Sequence, residues 1–328
     1  MSKGVTLGLW LLAGAALSAA APADDEPLLA AQGSCRIPVH DPSTVIRCGD
    51  EFWVYGTGPG LTSRHSTDLV HWQFGPAVFA RPPAWTAAAV PGNTGVFWAP
   101  DILRLDGRYL LYYAVSTLGS RHSVIALATN TTLDPNDPAY GWHDEGIVER
   151  TTEANNYNAI DPSLLHAADG RLWLCFGSFW SGIKLVELDP KTGRRLDPNA
   201  RPRGLAWHSS IEAACLWQHG EWYYLWVNWG ACCKGVDSTY EIRVGRSHEV
   251  GGPYLDRDGH DMLRDGGSLF LGTSGPFIGP GHAGILEDGG KLWFSCHFYD
   301  RTHGGRGTLA VRPMTIDADG WPVLDPKG

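Results

Sequence analysis

The sequence predicts an all-β fold, a five-bladed β-propeller. Three observations carry the prediction. A short segment bearing an acid or histidine recurs five times, each copy leading through a turn into an aromatic-rich apolar run. Asp-Gly or an equivalent pair separates the two strand-like runs of each copy, which is a hairpin signal. No long stretch shows helical periodicity.

The first copy is His40-Asp41-Pro42-Ser43, passing through Gly49-Asp50 to a run from Phe52. The second is Trp98-Ala99-Pro100-Asp101, passing through Asp106-Gly107 to a run from Tyr109. The third is Asn158-Ala159-Ile160-Asp161-Pro162-Ser163, passing through Asp169-Gly170 to a run from Leu172. The fourth is Ile211-Glu212-Ala213-Ala214, passing through His219-Gly220 to a run from Trp222. The fifth is Gly279-Pro280-Gly281-His282-Ala283, passing through Asp288-Gly289 to a run from Leu292. Asp41, Asp101, Asp161, Glu212 and His282 are spaced 60, 60, 51 and 70 residues apart, a period that suits one propeller blade of several antiparallel strands. Further β-type runs start at Ser123, Ile183 and Tyr240 and supply outer strands. In a propeller the first strand of each blade is innermost, so the five marked side chains are expected to converge at the central channel.

Ahead of the repeats, Lys3 precedes an apolar run from Val5 to Leu17, and Ala21-Pro22-Ala23 follows with small residues. This reads as a signal peptide over 1–23, too short for a bilayer span of about 20 apolar residues. The propeller domain is then 24–328, and the mature protein is expected to be secreted or periplasmic. The chain carries 35 acidic against 26 basic residues, a formal charge of −9. That balance argues against nucleic acid and anionic membranes as partners, and a monomer is expected.

None of the seven cysteines falls in a zinc-binding spacing. Cys35 and Cys48 are candidates for a disulfide, and Cys175, Cys215 and Cys296 lie in apolar runs as expected buried thiols. The adjacent pair Cys232 and Cys233 is harder to interpret, because neighbours on a regular strand face opposite ways; no catalytic role is assigned to it. Fifteen tryptophans offer surfaces for sugar rings, although core packing accounts for most of such a set.

Hydrolysis of a glycosidic bond needs one protonated carboxyl and one carboxylate. Glu212, among Ile211, Ala213, Ala214 and Leu216, has the apolar neighbours that favour a protonated acid. Asp41, beside His40 and Ser43, suits an ionised base, and Asp161 suits a neighbour whose charge raises the pKa of the acid.

The segments HDPS, WAPDI, NAIDPS, GSFWSGIK, IEA, CCKGVDSTYEIRVGRS and GPGHAG together resemble glycoside hydrolase family 43, and within it the endo-acting α-1,5-L-arabinanases, from about Cys35 to near Trp321. The resemblance implies an inverting hydrolase acting on arabinan, with Asp41 as general base, Glu212 as general acid and Asp161 as pKa modulator and orienter. It also implies that His282 faces a metal ion, commonly Ca2+, held mostly by waters. On residue type alone a single histidine is more often a core residue, and calcium prefers oxygen ligands. Asn158 and Ser178 occupy positions implied to touch sugar hydroxyls, and Trp98 and Trp180 positions implied to wall the cleft. Ala214 departs from the proline common in relatives, and the glycine-rich basic stretch 301–309 matches no motif. Three alternatives remain: exo-acting arabinofuranosidase, β-xylosidase, and a carbohydrate-binding propeller without catalysis.

Overall fold

The computed structural model describes Met1 and residues 36–325; the expected signal peptide, Cys35 and hence the Cys35–Cys48 pairing lie outside the described residues. Five antiparallel sheets follow one another along the chain, each with its strands in sequence order. Blade 1 pairs Ile46–Cys48, Glu51–Gly56, Thr62–Ser66 and Gln73–Gly75. Blade 2 pairs Val96–Leu105, Arg108–Val115, Ser123–Asn130 and His143–Thr151, with Gly58–Pro59 added at its inner edge. Blade 3 is built from Ser163–His166, Leu172–Phe176, Ile183–Leu188 and Arg203–Ala206. Blade 4 comprises Glu212–His219, Trp222–Trp229, Glu241–Ser247 and Ser268–Leu271. Blade 5 comprises Phe277–Asp288, Lys291–Asp300, Arg306–Ile316 and Pro322–Leu324. Among the described residues the one α-helix is the single turn Trp85–Ala89, in the connection from blade 1 to blade 2.

Burial follows the seams between blades. Each of the five hydrophobic clusters joins two neighbours, blade 1 to 2 through Tyr55 and Phe97, and so around to blade 5 against blade 1 through Leu309 and Val54. Fully burying one large apolar side chain such as Trp226, with 0 % of its surface exposed, stabilises the seam by about 2–3 kcal/mol. Cys175, Cys215 and Cys296 are buried free thiols in these layers, as their apolar runs predict.

The N-terminal segment closes the ring. Val39 N–H donates to the Gly307 carbonyl at 3.1 Å, Leu309 N–H donates to Ile37 at 3.1 Å, and the Arg36 guanidinium meets Asp300 at 2.6 Å. The stretch 301–309, which matches no motif, thus forms the turn and strand that receive the N-terminus. Within it Gly305 has φ +74, and a Cβ there would stand 2.6 Å from the Val236 amide, so only glycine fits. No helix among the described residues is long and apolar enough to cross a membrane.

Candidate active site

On or just ahead of the innermost strand of every blade stands one non-glycine residue in the left-handed region. These are Asp41 (φ 48), Ala99 (φ 41), Asp161 (φ 55), Ala213 (φ 53) and His282 (φ 57). Such a conformation is uncommon outside glycine and costs of order 1–3 kcal/mol. The strand ladder breaks register across this position in blades 2, 4 and 5. The kink turns a residue, its predecessor, or both, toward the channel: His40 and Asp41, Trp98, Ile160 and Asp161, Glu212, and His282 all line one cleft of about 770 Å3.

Four of the five marked side chains therefore converge, and Asp101 does not. It stands two residues after the kink at Ala99, where side chains turn into the seams between blades. Its carboxylate accepts from Thr44 N–H of blade 1 at 3.0 Å and from Leu164 N–H of blade 3 at 2.8 Å. Ser163, two residues after the kink in blade 3, likewise accepts from Leu216 N–H of blade 4 at 3.0 Å. Asp101 is a buried structural carboxylate that joins three blades.

Asp41 is held on several sides. Thr57 Oγ1 donates to Oδ2 at 2.6 Å, and His40 Nδ1 lies 2.8 Å from the same oxygen. His282 Nδ1 stands 3.0 Å from Oδ1 but is misaligned for a hydrogen bond, which makes this a charge contact. Burial alone would raise the Asp41 pKa, yet the charges of His40 and His282 outweigh it and hold the carboxyl well below the usual range. The Asp41 amide donates to His297 Nδ1 at 3.2 Å, so the buried, neutral His297 carries its proton on Nε2.

Glu212 is set the opposite way. It is half-buried, Ser178 Oγ donates to Oε2 at 2.9 Å, and the Tyr240 hydroxyl donates to Oε1. Burial raises its pKa and exceeds the lowering by Tyr240, Ser178 and His282, while the Asp41 charge adds to the rise. Asp161 Oδ2 accepts from Ala213 N–H, adjoining Glu212, at 3.0 Å. Its pKa is raised by burial, opposed by His282 and reinforced by the Glu212 and Asp41 charges.

His282 hangs from the inner strand of blade 5, with its amide donating to Asn228 Oδ1 at 3.0 Å. Both of its ring nitrogens are buried without a hydrogen-bond partner, and Nε2 is 4.0 Å from Asp161 Oδ1. Buried polar atoms are nearly always satisfied, so this ring faces a place for a further polar group. Asn158 also lines the cleft with an unpartnered buried Oδ1, and Trp98 and Trp180 line it as well.

The residues absent from the sequence reading are Thr57, Tyr240, Asn228 and His297. Asn228 and His297 lie on second strands, Thr57 just past one and Tyr240 just ahead of a third, and none carries a turn or acid signature. Their roles depend on pairing between strands, which spacing does not reveal. Tyr240 stands within the long CCKGVDSTYEIRVGRS segment, and that was the one available signal. One carboxyl held toward ionisation and another shifted toward protonation across a single cleft is the kind of contrast that acid–base cleavage of a glycosidic bond uses.

Comparison with known proteins identifies the family. The model of "Glycosyl hydrolases family 43" matches residues 36–322. The chain is 39% identical over 320 residues to the extracellular endo-α-(1→5)-L-arabinanase 1 of Bacillus subtilis, covering 95% of this chain and 94% of that protein. It is 37% identical to the extracellular exo-α-(1→5)-L-arabinofuranosidase ArbA of Cellvibrio japonicus, covering 90% and 88%. Among solved structures, an exo-1,5-α-L-arabinanase from a bovine ruminal metagenomic library superposes with a TM-score of 0.85 at 39% identity, over 89% of this chain and 98% of that one. A Cellvibrio cellulosa α-L-arabinanase complexed with arabinohexaose gives 0.84 at 36%, over 89% and 96%. The chain therefore belongs to glycosyl hydrolases family 43 and is a glycoside hydrolase.

Proposed function

We propose that the enzyme cleaves internal α-1,5-L-arabinofuranosidic bonds of arabinan with inversion. Asp41 acts as general base, Glu212 as general acid, and Asp161 as modulator of the acid. The observation that carries this reading is the contrast between the two carboxyls. Asp41 lies between two imidazoles and a threonine hydroxyl, while half-buried Glu212 accepts from the neutral hydroxyls of Tyr240 and Ser178.

In the proposed sequence a water beside Asp41 gives up a proton to it while adding to the anomeric carbon. Glu212 donates its proton to the departing glycosidic oxygen. Asp161, hydrogen-bonded to the amide next to Glu212, fixes that strand, and the two carboxyls disfavour each other's ionisation across the cleft. The unpartnered Asn158 Oδ1 is suited to accept from a sugar hydroxyl, with Trp98 and Trp180 as walls. Ser178, assigned to a sugar hydroxyl in the sequence reading, already donates to Glu212 and serves the acid first.

The residues at His282 fit a cation such as Ca2+ that retains most of its water. Its two unpartnered ring nitrogens lie between the Asp41 and Asp161 carboxylates. In its neutral form His282 would hold the ion, which when bound supplies a positive charge at the floor of the cleft in place of the imidazolium.

Support for internal cleavage comes from the endo-acting relative of Bacillus subtilis, and the exposed rim side chains Leu118, Phe179 and Trp180 offer apolar surface to a bound chain. The exo-acting relatives favour a second reading, release of short units from chain ends. Linear arabinan followed by product size separates the two: mid-sized oligosaccharides appear first in the internal reading, and monomer or one short product appears at once in the other. Glu212→Ala tests the acid: activity on arabinan should fall by about 10²–10⁴, with a much smaller fall on aryl arabinosides whose leaving group needs no proton. Equal loss on both would remove Glu212 from that role.

A further inference from the structure

Cys232 and Cys233 follow the strand Trp222–Trp229 and are consecutive residues of the cleft wall. Neighbours on a strand face opposite sides, but Cys233 has φ +66, and this left-handed residue allows both to border the same space. Cys233 is exposed and Cys232 half-buried, in contrast to the buried thiols of the blade seams. The position is held from behind, since Cys233 N–H donates to the Tyr299 hydroxyl at 2.7 Å and the following loop packs on Gly305. The Cys233 sulfur lies 3.8 Å from His40 Nε2, and His40 Nδ1 in turn lies 2.8 Å from Asp41. Donation from the Cys232 thiol and the nearby His40 hold the Cys233 thiol below its ordinary range, against the opposing effect of burial.

We propose that Cys232 and Cys233 form a covalent modification site in the wall of the catalytic cleft: a dithiol that closes to a disulfide with small-molecule disulfides and, while open, captures trivalent arsenicals. In closure, the Cys233 thiolate attacks one sulfur of oxidised glutathione, forming a mixed disulfide and expelling one glutathione thiolate. Cys232 then gives up its proton and attacks the Cys233 sulfur, expelling the second glutathione. Two protein thiols are oxidised by two electrons, and one disulfide is reduced to two thiols. With phenylarsine oxide two As–S bonds form, and the oxygen leaves as water with the two thiol protons.

Consecutive Cα atoms are about 3.8 Å apart across a trans peptide, shorter than the roughly 4.4–6.8 Å of ordinary disulfides. The closed ring is therefore strained and readily reduced, which suits a reversible site better than a structural staple. Closure draws the Cys233 sulfur toward Cys232 and away from His40. The arsenical instead places its aryl group in the cleft beside Asp41.

The test uses the full enzyme, reduced and freed of reductant. Stoichiometric phenylarsine oxide should lower arabinan hydrolysis by about tenfold or more, with recovery on adding 2,3-dimercaptopropanol. Prior treatment with oxidised glutathione should protect, and the peptide containing both residues should be lighter by about 2 Da. Cys48→Ser should respond as the parent does, and Cys232→Ser should lose both responses while melting cooperatively. Undiminished hydrolysis with stoichiometric arsenical, or a mass loss confined to other cysteines, would overturn the proposal. The mass measurement is independent of the proposed substrate, so failure of that reading and failure of this one are distinguishable.

Discussion

The hydroxyl of Tyr240 donates to Oε1 of Glu212 from the residue just ahead of the third strand of the same blade. This contact favours the ionised form of the glutamate and so opposes the effect of burial. Tyr240→Phe should raise the Glu212 pKa further. With Glu212 as the proposed acid and Asp41 as the proposed base, the alkaline limb of the pH–kcat profile should move to higher pH while the acid limb stays in place. A profile with an unmoved alkaline limb would assign that limb to another group.

Bound calcium should stabilise the folded ring by mass action, by about 2.7 kcal/mol at a hundred times its Kd. Dialysis against a chelator is expected to lower Tm, and added Ca2+ to restore it. His282→Ala should abolish the calcium-dependent part of the shift while leaving cooperative melting. Identical melting curves with and without the ion would rule out the site.

Asp101→Ala leaves the Thr44 and Leu164 amides without their acceptor in a buried seam. Each buried donor left unsatisfied costs about 1–3 kcal/mol, so denaturant titration should show a loss of several kcal/mol. KM should stay unchanged at temperatures where the variant is folded, because this carboxylate does not face the cleft.

Asp300 anchors the closing segment through Arg36 and two contacts with Thr302. Burial would raise its pKa, but those partners outweigh it and depress the folded value below the unfolded one. Its stabilisation is therefore fully present above about pH 4 and is lost as pH falls through the depressed value. Asp300→Asn should cost about 2 kcal/mol at neutral pH and flatten the decline of Tm in acid. A parallel decline in both proteins would show that other carboxylates govern it.

The number of blades was legible because turn residues and apolar runs are local signals that repeat, and Gly49, Gly107, Gly170, Gly220 and Gly289 all have the positive φ that their turns predict. Asp41, Asp161, Glu212 and His282 were legible as a set. Asp101 was misplaced because equivalence was judged by residue type and rough spacing, whereas the left-handed residue fixes it: a shift of two along the strand sends a carboxylate from the channel into a seam. Asn228, buried on blade 4, supports the His282 amide across the next seam, and nothing in its neighbourhood in sequence marks it for that task.

The recurring left-handed residue separates two kinds of inheritance in this enzyme. The backbone device is common to all five blades, whereas the side chain it carries differs: aspartate in blades 1 and 3, histidine in blade 5, and alanine at Ala99 and Ala213. The backbone that aims each position is thus separable from the group it aims. Blades 2 and 4, each with a methyl group at that place, present the preceding residue to the cleft instead, Trp98 in one and Glu212 in the other.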